Sequence, residues 1–364
     1  MPRYVSEPAF QHGTPAQTGV LLLNLGTPDA ATPSAVRRFL KQFLSDPRVV
    51  EIPRVAWLPI LYGVILNLRP KQSAARYAQI WTDEGSPLRV HTERQTKMLR
   101  GYLGSRIKTP PAVEFGMRYG EPSIAAALAR LKQQNCDRVL VVPLYPQYSA
   151  STTASALDAV FAACGGMRNV PALRIVKHFH DYPGYIRALA QSVRDHWMRT
   201  NFPDQLVISF HGVPRRALER GDPYHCECQK TGRLLAEELA LKPDQYVVSF
   251  QSRFGRTKWL EPYTATVLQD LGRQKTPRVD VVCPGFVADC LETLEEVAIE
   301  GKALFLAAGG AEFHYIPCLN ERDDWLHALT DLVLRNMLGW AGEPEVPHAL
   351  KLSREHALAL GARQ

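Results

Sequence analysis

The sequence predicts an α/β protein of two similar halves, each a parallel sheet flanked by helices, with a cleft between them. Three observations carry this. Apolar runs of strand length recur with no polar alternation, which marks strands buried on both faces. Helical patterns such as SIAAALARLKQQ (123–134) lie between them and supply the crossovers a parallel sheet requires. The same short motifs also occur once in each half.

In chain order the first half contributes VLLLNLG (20–26), VEFGMRYG (113–120), VLVVPLYP (139–146) and LRIVKHF (173–179). The second contributes LVISFHG (206–212), YVVSFQSRFG (246–255), VDVVCPGF (279–286) and FHYIPCL (313–319), with a further apolar run, LFLAAGG (304–310), beside the last. LNLGTP aligns with SFHGVP, MRYG with SRFG, and PLYPQYS with CPGFVAD. The first pair is offset by 186 residues and the second by 135, so the first half carries about 51 extra residues between its first two motifs. VAWLPILYGVIL (55–66) lies in that insertion. Its 12 residues fall short of the ~20 that span a bilayer, and Pro59 and Gly63 interrupt them. The segment reads as a lid or pocket lip, with a membrane-interface position or a buried helix face as alternatives.

Length and composition agree with this plan. A chain of 364 residues, 46% apolar and 22% charged, suits about two globular domains. The start, MPRYVSEPAFQHG, has no continuous apolar stretch of the secretory kind, so a cytoplasmic location is expected. The net charge of +7 is dispersed, and no basic block of five or more occurs. On charge alone nucleic acid is possible, and mild attraction to anionic lipid or an acidic ligand fits equally well; with the motifs below, no nucleic-acid partner is expected. Seven cysteines, odd in number and irregularly spaced, suggest reduced thiols. The one cluster, HCEC (225–228), supplies too few well-spaced ligands for a closed metal site.

The chemistry is expected beyond the carboxyl ends of the strands, where open parallel sheets bind ligands. No G-x-G-x-x-G, Walker A or G-x-S-x-G motif follows any strand, which removes the main support for dinucleotide, nucleotide and serine-hydrolase readings. His211, in SFHGVP, stands where the first half has Leu25, in LNLGTP. Asp289, Glu292 and Glu296 are spaced i, i+3, i+7 on an expected helix after VDVVCPGF. They suit the helix dipole as a capping stripe, and equally a divalent cation that relieves their mutual repulsion. Imidazole with carboxylates is a ligand set for Fe²⁺, Mn²⁺ or Zn²⁺, and histidine also accepts a proton near neutrality. Tyr119, Tyr145, Trp259 and Phe286 share the same edge with Arg118. Each alone suits core packing; together they suggest a flat apolar ligand bearing carboxylates.

Taken together, SFHGVP, GDPYHCECQKTGRLLAEEL, FQSRFGRTKWLEPYT and CPGFVADCLETLEE resemble the protoporphyrin ferrochelatases in their proteobacterial form. The resemblance runs from LLLNLGTP (21–28) to FHYIPCLN (313–320). It implies two Rossmann-like domains with four-stranded parallel sheets, expected at 1–185 with a hydrophobic lip at about 50–70, and at 186–325, followed by a C-terminal helix and tail (326–364) returning to the first domain. It implies insertion of Fe²⁺ into protoporphyrin IX with release of two protons. By motif position, His211 and Glu292 are the essential pair and metal contacts, Asp289 and Glu296 continue the acidic row, and Leu25, Ser86, Arg118, Tyr119, Tyr145, Trp259 and Phe286 line or frame the porphyrin pocket. Residues 55–66 correspond to the lip, which faces lipid in membrane-associated relatives, so peripheral contact with the inner face of the membrane is open. Ala150 follows YPQYS and no cysteine follows Cys318, so the 2Fe–2S cluster of some relatives is not expected and no permanent cofactor is implied. Cys226 and Cys228 leave a binding role open. A coproporphyrin or other tetrapyrrole chelatase, or a non-catalytic heme or porphyrin carrier, remains as an alternative.

Overall fold

A computed structural model describes residues 4–255, 257–340 and 347–363; residues 341–346 and 364 of the expected C-terminal tail lie outside them. The first sheet contains β1 (Gln17–Gly26), β2 (Ala112–Tyr119), β3 (Cys136–Pro143) and β4 (Ala172–Ile175), in the order β2-β1-β3-β4. The second contains β5 (Gln205–His211), β6 (Tyr246–Gln251), β7 (Arg278–Val282) and β8 (Glu312–Ile316), in the order β6-β5-β7-β8. Every pairing is parallel. The two orders are the same, so the sequence repeat is a repeat of topology, with β1 and β5 as the equivalent central strands.

The unbroken apolar runs are explained by burial on both faces. Val20 and Leu22 join a core that also holds Leu206, Ile208, Trp325 and Leu329, whereas Leu21 and Leu23 pack with Leu128, Leu131 and Val160 on the other side. Val207, Val279 and Val281 likewise pack with Leu268 and Phe305. The halves thus share one central core, in which the helix Asp323–Asn336 packs on helices Pro87–Arg106 and Pro183–Thr200. LFLAAGG is not a strand: its first residues end the helix Lys302–Ala307, and Gly309, at φ +111°, follows the helix end. A short apolar run cannot separate a strand from a buried helix by periodicity alone.

The insertion folds as helix from Arg54 to Ile80, with a π-helical turn at Leu61–Ile65. Leu61 and Leu66 are buried, but Val55 is 90% and Leu68 71% exposed, and Ile60, Tyr62 and Val64 are exposed beside them. The lip therefore has a buried seam and an open apolar face, anchored where the Trp57 indole donates to the Leu44 carbonyl at 2.6 Å.

The repeated glycine of LNLG and SFHG has a physical cause. A Cβ on Gly26 would lie 1.7 Å from the carbonyl oxygen of Tyr119, and one on Gly212 would lie 2.7 Å from that of Gln251. In each half the central strand leaves its sheet against the backbone of its neighbour, and only a hydrogen fits between them. Gly26 also has φ +103°. Gly26→Ala is expected to cost more than about 2 kcal/mol in urea unfolding. Gly101→Ala, on the helix Pro87–Arg106 with open space around it, is expected to gain about 0.5–1 kcal/mol. Equal effects would refute the close-approach explanation.

Candidate functional site

The strand ends carry the site. His211 is the last residue of β5 and pairs with Gln251 at the end of β6. Its Nδ1 lies 2.6 Å from the Gly212 carbonyl oxygen. A carbonyl only accepts, so Nδ1 carries the proton and Nε2 of the neutral ring is left as the basic nitrogen. The Trp259 indole covers Gly212, with Cε3 3.2 Å from where a Cβ would stand, and its buried Nε1 has no hydrogen-bond partner among the described residues.

Gln251 is 4% exposed and joins this edge to the acidic segment. Its Oε1 accepts from Ser209 Oγ at 2.8 Å, and its Nε2 donates to the Glu292 carbonyl at 2.7 Å. Ser252, at φ +65°, then turns its amide and hydroxyl onto the Glu296 carboxylate at 2.6 and 2.5 Å. Burial pushes the Glu296 carboxyl above its ordinary value. The Ser252 hydroxyl, the nearby His211 and the Ser252 amide pull it back, while Glu292 pushes it up. Both His211 and Glu292 thus act on Glu296.

The acidic row differs from the expected helix. The helix starts at Leu291 with Cys290 as its N-cap, and Leu294–Gly301 winds as π-helix before Lys302–Ala307. Asp289 therefore precedes the helix and does not share its face with Glu292 and Glu296. It is buried and accepts from Tyr315 Oη (2.5 Å), Asn320 Nδ2 (2.7 Å) and Thr293 Oγ1 (3.1 Å). Spacing gave the wrong geometry because it assumes a uniform α-helical pitch, and neither the late cap nor the wider turn has an i, i+3 signature. The turn before it is held from the first half: Gln147 and Tyr185 donate to the Pro284 carbonyl, and Gln95 to that of Val287.

The pocket residues fall into two groups. Leu25, at the end of β1, and Phe286, after β7, pack with Leu88, Ala288 and Cys290, so the two halves meet there. Ser86 is buried beside them and accepts from Thr27 Oγ1 at 2.8 Å. Tyr77 joins this group without a sequence signal beyond its insertion position. Burial raises its phenol well above the ordinary range, and the nearby Glu292 carboxylate and Cys290 thiol add to this.

The second group surrounds Asp46. Its carboxylate accepts from Arg118 Nη2 (2.5 Å), Ser155 Oγ (2.6 Å) and Tyr119 Oη (2.8 Å). Tyr119 is 1% exposed, and the Arg118 guanidinium is paired internally with Asp46. Tyr145 lies beside them, buried, with its hydroxyl unpartnered among the described residues. Asp46, Gln251, Ser252 and Tyr77 were not singled out by sequence reasoning. Gln251 and Ser252 were legible in QSRFG as the counterpart of MRYG, whereas Asp46 lies in a turn with no motif of its own.

Cys226 is exposed and Cys228 fully buried on the helix Tyr224–Glu238, so the two thiols do not converge.

Comparison with known proteins adds an independent line. The sequence model of the family described as Ferrochelatase matches residues 17–337. The chain is 60% identical over 366 residues to the ferrochelatase of Aromatoleum aromaticum, covering all of both chains. It is 62% identical to that of Chromobacterium violaceum over 93% of each chain, and 58% identical to that of Nitrosomonas europaea over all of both. Among solved structures, SirB from Bacillus subtilis with Fe³⁺ superposes with a TM-score of 0.53 at 11% identity, covering 88% of this chain and 95% of that one, a likeness of fold.

The Asp46 cluster yields a stability prediction. Removing the carboxylate leaves the Arg118 charge largely desolvated and several donors unpaired. Asp46→Ala is expected to cost about 3 kcal/mol in urea unfolding; a cost below about 1 kcal/mol, the scale of an exposed pair, would contradict this.

Proposed function

This chain belongs to the ferrochelatase family and inserts Fe²⁺ into protoporphyrin IX, the metal-insertion reaction of heme synthesis; we propose that His211, Glu292 and Glu296 carry the step. Iron is a substrate here, and the reaction is balanced by loss of two pyrrole protons. A planar macrocycle keeps its lone pairs in a hole that a hydrated ion enters poorly, so a pocket that bends the ring exposes them. Bending costs about 1–5 kcal/mol, offset by contacts remote from the metal. Trp259, Phe286 and Leu25 supply apolar surface for that grip.

The observation that carries this reading is the hydrogen bond from His211 Nδ1 to the Gly212 carbonyl. It fixes the ring and leaves Nε2 as the base for a pyrrole proton or as a donor to the metal. Glu292 and Glu296 relay protons outward or bring the cation in, with Ser252 keeping Glu296 ionisable. Asp289 supports this row by fixing the turn through Tyr315 and Asn320. Arg118 and Tyr119 shape the pocket wall through Asp46, with Tyr145 packed beside them, and Ser86 does so through Thr27.

The same proposal places the enzyme in the cytoplasm as domains at about 1–185 and 186–325 with a C-terminal segment returning to the first, working without a permanent cofactor. No described helix is long and apolar enough to cross a membrane. The exposed apolar face at 55–66 supports peripheral contact with a membrane, through which a greasy porphyrin is handed over.

Zinc protoporphyrin formation, followed by fluorescence, tests the assignment. His211→Ala and Glu292→Gln are each expected to lower kcat by about 10²-fold or more with the fold retained. A near-normal rate in folded His211→Ala would remove His211 from the reaction.

A further inference from the structure

A second group of metal-ligating side chains lies apart from His211 and Glu292. His178 and His180, in the segment after β4, meet Glu227 of the helix Tyr224–Glu238, and one ligand atom from each lies within 4.8 Å of the others. His178 Nδ1 is 2.7 Å from Glu227 Oε1, and His180 Nδ1 is 3.3 Å from Oε2. We propose that these three residues bind a divalent transition-metal ion of the Zn²⁺ or Co²⁺ type, linking the segment after β4 to a helix of the second half.

The donor set is the first argument. Two imidazoles and a carboxylate are a common ligand set for such ions, with bonds of about 2.0–2.2 Å. Two donors at that distance from a tetrahedral ion stand about 3.4 Å apart. The His180–Glu227 pair already has this spacing, to Oε2; the His178–Glu227 pair, to Oε1, opens by about 0.7 Å, and the widest separation in the set, up to 4.8 Å, closes by about 1.4 Å as the ion draws the three groups together.

Independent support comes from His180. It is 5% exposed, and its Nδ1 has no hydrogen-bond partner among the described residues, although a Glu227 carboxylate oxygen lies 3.3 Å away. A buried imidazole nitrogen left this way costs stability unless something occupies it. The outer contacts of a ligand set are also present. Glu227, 6% exposed, is oriented by the Tyr148 amide at 2.7 Å. Asp181 stands 3.9 Å from His180 Nε2 and is itself paired with Lys230. His178 is partly exposed, which leaves a route for the ion and a position for water.

Co²⁺ titration of the full-length enzyme, read by visible d–d absorption and by the bound metal after dialysis, tests the site. It is done in His211→Ala, so that metal at the insertion site does not contribute. One equivalent is expected to remain in His211→Ala. Adding His178→Ala or His180→Gln is expected to weaken Co²⁺ binding by about tenfold or more, and to abolish the metal-dependent rise in Tm, measured against each variant's own metal-free Tm. Co²⁺ binding that is indifferent to both substitutions would overturn the proposal. Zinc protoporphyrin synthesis does not enter this readout, so its outcome is independent of the catalytic assignment.

Discussion

The buried amide of Gln251 is the joint on which the site depends. It accepts from Ser209 of β5 and donates to the Glu292 carbonyl, so one side chain couples the strand that ends in His211 to the segment that carries the carboxylates. A buried amide is costly to leave unpaired, and both of its ends are used. The adjacent Ser252 turns its backbone through φ +65° to clamp Glu296. Neighbouring residues at the end of β6 therefore hold the Glu292 backbone and the Glu296 carboxylate to the edge that carries the imidazole.

The duplicated frame explains why the chemistry is one-sided. Both halves bring a central strand out against its neighbour through a glycine with no room for a Cβ, and both place a side chain immediately before it. In the first half that residue is Leu25, which packs with Phe286 and Leu88; in the second it is His211. The repeat supplies two equivalent edges around one core, and exchange of a single residue makes one edge apolar and the other basic. The insertion then adds Tyr77 beside Glu292 and the exposed lip at its other end.

Much of this was legible in the sequence because it rests on short-range pattern. Unbroken apolar runs implied strands buried on both faces, and the paired LNLG and SFHG motifs implied equivalent sheets. LFLAAGG was ambiguous because a short buried run has no period to read. Asp289 was assigned to a helical face on spacing, but the chain delays its helix to Leu291 and then widens it. The pairing of Arg118 with Asp46 was not legible, because Asp46 lies 72 residues away in a turn without a motif. The cluster of His178, His180 and Glu227 had no signature either, since its members come from opposite sides of a fold-level contact.

The most direct test of the account is the rate of Gln251→Met, which keeps the volume and removes the hydrogen bonds to Ser209 and the Glu292 carbonyl. Under anaerobic conditions, Fe²⁺ insertion into protoporphyrin is expected to fall by about tenfold or more, with folding retained and His211, Glu292 and Glu296 all still present. A wild-type rate in the folded variant would contradict the claim that this amide holds the acidic segment in register with His211.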